Sequence, residues 1–187
     1  MTYTIIEQAK DFANLAHNSV NQTYMGAPYI LHLRLAQNVA ERYINGYTEE
    51  VFKENLLAAV WLHDTLEDCH HVSYNTLKSS FNIKIANLVY AVTDKKGRNR
   101  KERKDFESIL ATKGATFVKL CDRIANVEAG IIFKGDQLEM YRKEQFNFAL
   151  QLYPQDGDEV LERMFYDLDV ILNPEISLLI HHFTDRF

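Results

Sequence analysis

Chemistry in this chain gathers at His63-Asp64-Thr65-Leu66-Glu67-Asp68. Five of these six side chains can bind a metal, move a proton or hydrogen-bond. The stretch closes an apolar run, Leu56-Leu57-Ala58-Ala59-Val60-Trp61-Leu62, so it falls where a buried helix ends. An adjacent His-Asp pair there sits at the edge of a low-dielectric interior, where unpaired charge costs roughly several kcal/mol. A bound cation removes that cost. Two further polar residues lean inward on other predicted helices, His32 and Asp122. Two imidazoles and two carboxylates make a mixed nitrogen and oxygen site, suited to Mn²⁺, Fe²⁺, Zn²⁺, Mg²⁺ or Co²⁺. The lack of thiolates argues against structural zinc. Four such ligands on an octahedral ion leave two positions for water and a substrate oxygen. An ion held there lowers the pKa of its water and draws charge from a phosphoryl group.

The elements that must position these residues read as helices. Ile5, Ala9, Phe12, Ala13 and Ala16 share one face of a helix over about 4–18. The polar stretch from Asn18 to Pro28, with Gly26, is a loop. Tyr29, Leu33, Ala36, Val39, Ala40 and Tyr43 form the stripe of a second helix, with His32 at its edge. Asn45-Gly46 stops it, and Thr48 begins a capping-box pattern for a third helix that ends at 62 or 63. Shorter helices are expected over 74–81, 83–93 and 105–112. A longer one covers 115–129, with Val118, Cys121, Asp122, Ala125 and Ala129 inward. Helices over 137–152 and 158–172, and a last one after Pro174, complete the chain. The expectation is an all-α protein, one domain over 1–187. Its motif-bearing core covers about 8–150, and the helices of 137–187 pack on that core.

Bulk properties narrow the function. A length of 187 residues suits one sizeable core. Only 7 Gly and 3 Pro punctuate the sequence, which favours helices over a many-stranded sheet. The net charge of −5 argues against a surface built to coat nucleic acid or anionic membrane. No apolar run approaches the roughly 20 residues of a membrane span. Met1 to Glu7 lacks a signal-peptide pattern. Cys69 and Cys121 imply no disulfide framework. These features together predict a cytoplasmic protein with no nucleic-acid or membrane partner.

Against that negative net charge, residues 95–104 carry seven of the chain's 21 Lys and Arg. Lys95, Arg98, Arg100 and Lys101 are candidates to hold a multiply phosphorylated small molecule.

His32, His63-Asp64 and Asp122 resemble the H…HD…D signature of HD-domain metal-dependent phosphohydrolases. Longer words narrow the resemblance. Gly26-Ala27-Pro28-Tyr29-Ile30-Leu31-His32 is similar to the "GTPYINH" segment of RelA/SpoT-type alarmone hydrolase domains and of the small stand-alone alarmone (ppGpp) hydrolases. His63 to Asp68 is similar to their "HDTVED", and Val118 to Asn126 to their "VKLADRLHN". The resemblance implies a single HD-type helical bundle around one Mn²⁺, with His32, His63, Asp64 and Asp122 as ligands. It implies that Glu67 and Asp68 orient or deprotonate the attacking water, and that Asn126 and Tyr141 contact substrate. The implied reaction removes pyrophosphate from the 3′ position of guanosine tetra- or pentaphosphate, the small phosphorylated nucleotides of the stringent response.

The chain departs from that family in one loop. Its relatives carry an Arg-Lys pair shortly before the Gly-x-Pro-Tyr segment, and the pair packs on the guanine base. Here Asn18 to Met25 holds no basic residue, which leaves Tyr24 as the ring available to stack on a base. The position of Ala129 is also often polar among the relatives. Two alternatives therefore stand: an HD-type phosphohydrolase acting on another nucleotide or phosphomonoester, and a module that senses a nucleotide without cutting it.

Overall fold

In a computed structural model of the chain, the described residues are 3–95, 105–133, 135 and 137–174. The predicted helix after Pro174 and most of the basic run, including Arg98, Arg100 and Lys101, lie outside them. The order is α1 (Ile5–Ser19), β1 (Thr23–Tyr24), β2 (Ala27–Pro28), α2 (Ile30–Tyr43), α3 (Glu50–Leu62), α4 (Thr65–Asp68), α5 (Tyr74–Ser80) and α6 (Ile83–Val92). After residues 96–104 come α7 (Phe106–Ala111), α8 (Ala115–Ile132), α9 (Gln137–Leu152) and α10 (Glu159–Leu172). A 3₁₀ turn over Ile44–Gly46 follows α2. The fold is all-α, as the periodicity predicts.

Two helices make the centre. On α3, seven residues, Asn55, Leu56 and Ala58 to Leu62, are buried. Helix α8 buries Phe117, Val118, Leu120, Cys121, Ile124, Ala125 and Val127. Both are apolar around most of their circumference, as a helix packed on several sides must be. Helix α3 packs on α1, α2, α6 and α8, and α8 also packs on α2, α6, α9 and α10. The buried apolar side chains form one continuous cluster from Ala9 to Leu172. Such a cluster is what fixes separate helices at set distances, so that polar groups at their ends can be aimed.

Local chemistry sets the helix ends, with two departures from expectation. The capping box forms at Thr4 and Glu7, opening α1. At α3 the pattern beginning at Thr48 does not form: Glu49 is the N-cap and makes no side-chain cap bond. Ser73, Asn82 and Asp158 cap α5, α6 and α10 through their side chains. The second departure is the loop after α1, which contains a two-residue hairpin. Thr23 pairs with Pro28 and Tyr24 with Ala27, around a turn in which Met25 and Gly26 have φ of 51° and 80°. Two positive φ values suit the right-handed twist of a tight hairpin. No helix among the described residues is long and apolar enough to cross a membrane.

Candidate metal centre and cleft

The His63-Asp64 pair occupies a joint between helices. His63 is the C-cap of α3 and Asp64 the N-cap of α4. That short turn swings Glu67 and Asp68 to the same side, and His32 comes from the first turn of α2. Asp122 comes from the middle of α8. The imidazole Nε2 atoms of His32 and His63 face each other at 3.1 Å in a buried setting. Asp64 Oδ2 lies 3.4 Å from the first and 2.9 Å from the second. Asp122 Oδ1 lies 3.3 Å and 3.7 Å from the same two atoms. Donor atoms of His32, His63 and Asp122 all fall within 4.8 Å of one another.

These residues fit a divalent cation. Donors at right angles around an ion bound at roughly 2.1 Å lie about 3 Å apart, close to the separations here. His63 Nδ1 donates to the Val60 carbonyl at 2.8 Å, which leaves the Nε2 lone pair directed at the centre. The electrostatics point the same way. Burial works against protonation of His63, yet Asp64 and Asp122 outweigh it and hold its pKa well above the ordinary value. Asp122 is likewise drawn well down: burial opposes its charge, and the two imidazoles overcome that. Two partly buried carboxylates thus call for positive charge between them, which a divalent ion would supply while leaving both imidazoles neutral.

A cleft of about 180 Å³ opens beside this centre, lined by His32, Asp64, Glu67, Asp68, Asp122 and Asn126 among others. Glu67 and Asp68 both have raised pKa values, first through burial and then through the neighbouring Asp64 charge. For Asp68 a hydrogen bond from Gln22 works in the opposite direction. Glu67 accepts the Asp94 backbone N–H at 3.1 Å. Carboxylates with raised pKa values beside a candidate cation site suit proton transfer to and from water.

The structure gathers most of the residues singled out in the sequence. Asn126 Nδ2 donates to Asp122 Oδ1 at 2.6 Å, and Asn126 Oδ1 accepts from the Tyr24 hydroxyl at 2.9 Å. The Tyr24 ring lies 4.8 Å from that of His32. Burial and then Asp122 push the Tyr24 hydroxyl up to about 12, so it remains a donor. Tyr24 thus holds the residue that donates to Asp122. Tyr141 lines the cleft, with the Arg123 guanidinium over its ring at 4.9 Å. Lys95 is exposed and pairs with Asp105, which lines the cleft.

Two residues of the site escaped the sequence reading. Tyr29 counted as part of an apolar stripe, but its hydroxyl donates to Asp64 Oδ2. Burial, and then Asp64, raise its pKa far above the ordinary value, which keeps it a donor. Lys119 sits one turn before Asp122 on α8. Its ammonium lies 3.8 Å from Asp122 Oδ2 and 3.6 Å from Asp94 Oδ1, and donates to the Val92 carbonyl at 3.2 Å. The i to i+3 spacing from Lys119 to Asp122 was the available signal.

The chain's resemblance to the alarmone-hydrolase branch of the HD-type phosphohydrolases holds in comparison with known proteins. The chain is 28% identical over 129 residues to guanosine-3′,5′-bis(diphosphate) 3′-pyrophosphohydrolase MESH1 of Danio rerio, covering 67% of this chain and 68% of that protein. Its fold matches a solved structure described as a metazoan ortholog of SpoT that hydrolyzes ppGpp and plays a role in starvation responses. The TM-score is 0.68 at 20% identity, covering 90% of this chain and 95% of the other. No family model matches the chain.

Proposed function

We propose that this chain is a metal-dependent phosphohydrolase that removes pyrophosphate from the 3′ position of guanosine tetra- or pentaphosphate, with Mn²⁺ as its metal. The observation that carries this reading is the meeting of two His Nε2 atoms and two carboxylates, on three helix ends and α8, beside Glu67 and Asp68. The Danio rerio relative, named for this reaction, supports the choice of substrate. His32, His63, Asp64 and Asp122 would hold the ion. When bound, it supplies Lewis-acid charge to a phosphoryl group and makes water a stronger nucleophile near neutral pH.

The chain's own residues provide the remainder. Glu67 and Asp68 take the proton from the attacking water, their raised pKa values suiting them to accept it and give it up again. Lys119, fixed between Asp94 and Asp122, offsets negative charge that builds on the phosphoryl oxygens. Asn126 holds Asp122 in place, and Tyr24 holds Asn126. Tyr141 lines the cleft, where it can meet substrate. Arg98, Arg100 and Lys101, with Lys95 where the basic run leaves the described residues, would meet the phosphates that are not cut. The reading includes one domain over 1–187 and a cytoplasmic enzyme.

One observation favours a different base in the same reaction. The loop before Gly26 has no basic side chain, and Tyr24 is engaged with Asn126 and His32 rather than turned outward. The test is direct. Purified protein with Mn²⁺ is expected to release pyrophosphate and guanosine diphosphate from guanosine tetraphosphate, and His63→Ala to release neither. Equal release by wild type and His63→Ala, or none by either, overturns the reading. Release from another 3′-pyrophosphorylated nucleotide alone would keep the chemistry and replace the base.

A further inference from the structure

Behind Asp68 lies a polar chain that the cleft does not reach. Gln22 Nε2 donates to Asp68 Oδ2 at 2.6 Å, joining the loop after α1 to the end of α4. Gln22 Oε1 lies 2.7 Å from Nδ1 of His17, at the end of α1. His17 is buried, and its ring stacks on that of Tyr29, with centroids 4.4 Å apart. Tyr29 in turn donates to Asp64. The loop is shaped to make this join. Asn21 has a positive φ of 53°, and both Val20 and Gln22 return their backbone N–H groups to the His17 carbonyl.

Donor and acceptor chemistry gives the chain one direction. An ionised carboxylate only accepts, so the Gln22 amide must turn its NH₂ toward Asp68. Its oxygen then faces His17 and requires a proton on Nδ1. His17 Nε2 is buried and has no hydrogen-bond partner. A proton there would be stranded and would leave Nδ1 unable to donate to the Gln22 oxygen. Burial lowers the pKa of His17, in keeping with a neutral ring. The neutral Nδ1–H form is thus imposed by the surroundings on both sides. Cys69 Sγ, 3.5 Å from the same nitrogen, adds a weak acceptor.

We propose that Gln22 and His17 are positioning residues for hydrolysis: Gln22 fixes the orientation of Asp68, and His17 fixes Gln22 while its ring braces Tyr29 against Asp64. This rests on the proposed role of Asp68 and adds the device that aims it. One helix end then sets both carboxylate systems, the base through a hydrogen bond and the ligand through a stacked ring. Neither His17 nor Gln22 touches the reacting atoms.

Two measurements test it, the first without metal or substrate. In ¹⁵N NMR of the full-length, metal-free protein, His17 is expected to be neutral with its proton on Nδ1. Gln22→Glu keeps an acceptor for His17, so that tautomer should persist, while Gln22→Met should lose it. A proton on Nε2 in the wild type, or no change in Gln22→Met, overturns the relay. The second measurement is kinetic. Gln22→Met and Gln22→Glu are each expected to lower kcat about 10- to 100-fold with KM changed by less than about twofold. In an Asp68→Asn background, Gln22→Met should cost nothing more, because its effect passes through Asp68. An equal loss in both backgrounds means a general structural role and overturns the proposal. A wild type that releases no pyrophosphate would count against the proposed function, and the NMR result would still decide the relay.

Discussion

At the scale of residues, the centre depends on groups that hold the proposed ligands as well as on those ligands. Asp64 lies against both imidazoles and also accepts from Tyr29. A carboxylate with two acceptor oxygens can rotate out of reach of an ion unless something fixes it, and a phenol kept protonated by burial is a firm donor. Tyr29→Phe removes only that oxygen and leaves the ring packed on His17. It is expected to weaken Mn²⁺ binding or turnover by about 10- to 100-fold, with thermal stability nearly unchanged. Titration calorimetry with Mn²⁺ and a pyrophosphate-release assay check it; a variant matching wild type in both would sink the idea. The contrast between Tyr29 and His32 shows what sequence can reveal at this scale. His32 and Asp122 stand out because polar types on apolar faces are expensive to bury without a partner. Tyr29 and Lys119 do not, since a tyrosine in a stripe reads as core and a lysine beside it reads as surface. Their partners come from other helices, and no local pattern records those contacts.

Helices α3 and α8 set the distance between the His63-Asp64 joint and Asp122 at the scale of elements. Gly114, the N-cap of α8, controls that spacing. Its φ is 91°, and a Cβ there would come within 2.7 Å of Leu56 and 3.2 Å of Phe52, both on α3. Gly114→Ala therefore meets two costs, about 1–2 kcal/mol of left-handed backbone strain and about 1–3 kcal/mol of overpacking. Equilibrium urea unfolding should show a loss of about 2–5 kcal/mol. Mn²⁺ affinity should fall too, because α8 must shift away from α3 to relieve the contact. A change under about 0.5 kcal/mol, the ordinary size for an inconsequential surface substitution, would refute this account. The helices themselves were readable from apolar periodicity, and α9 lies where it was expected, at Gln137–Leu152. The hairpin at Thr23–Pro28 was not. Its strands are two residues each, too short for alternation to register, and only Gly26 hinted at the turn. The unused capping pattern at Thr48 has a related cause. A local signal is a weak preference, and the 3₁₀ turn at Ile44–Gly46 with Tyr47 against Phe52 and Phe117 fixes the approach to α3 instead.

For the whole molecule, the proposed metal binding and folding are one equilibrium. The proposed ligands come from α2, the joint between α3 and α4, and α8, so unfolding disperses them and the ion binds the native state far better. Mn²⁺ at about 100 times its Kd should add about 2.7 kcal/mol, which for a chain of this size raises Tm by about 5–10 °C. EDTA should remove the increment, and His63→Ala should never acquire it. Its pH dependence has a definite sign. Asp64 and Asp122 hold the pKa of His63 well above 6.5 despite burial. In the metal-free protein, stability from that raised pKa is fully present below 6.5, the unfolded value, and is lost as pH rises through the folded value. Imidazole binds a metal only as the neutral base, so the proton competes with Mn²⁺ over the same range. As pH rises, the metal-free protein loses this contribution while the affinity for Mn²⁺ grows, and both effects enlarge the gap between the two forms. The Mn²⁺-induced rise in Tm, followed by differential scanning calorimetry, should therefore be larger near about pH 8 than near about pH 6. An increment that is constant, or largest in acid, would mean that the ion is held by carboxylates alone and that the imidazoles are not ligands.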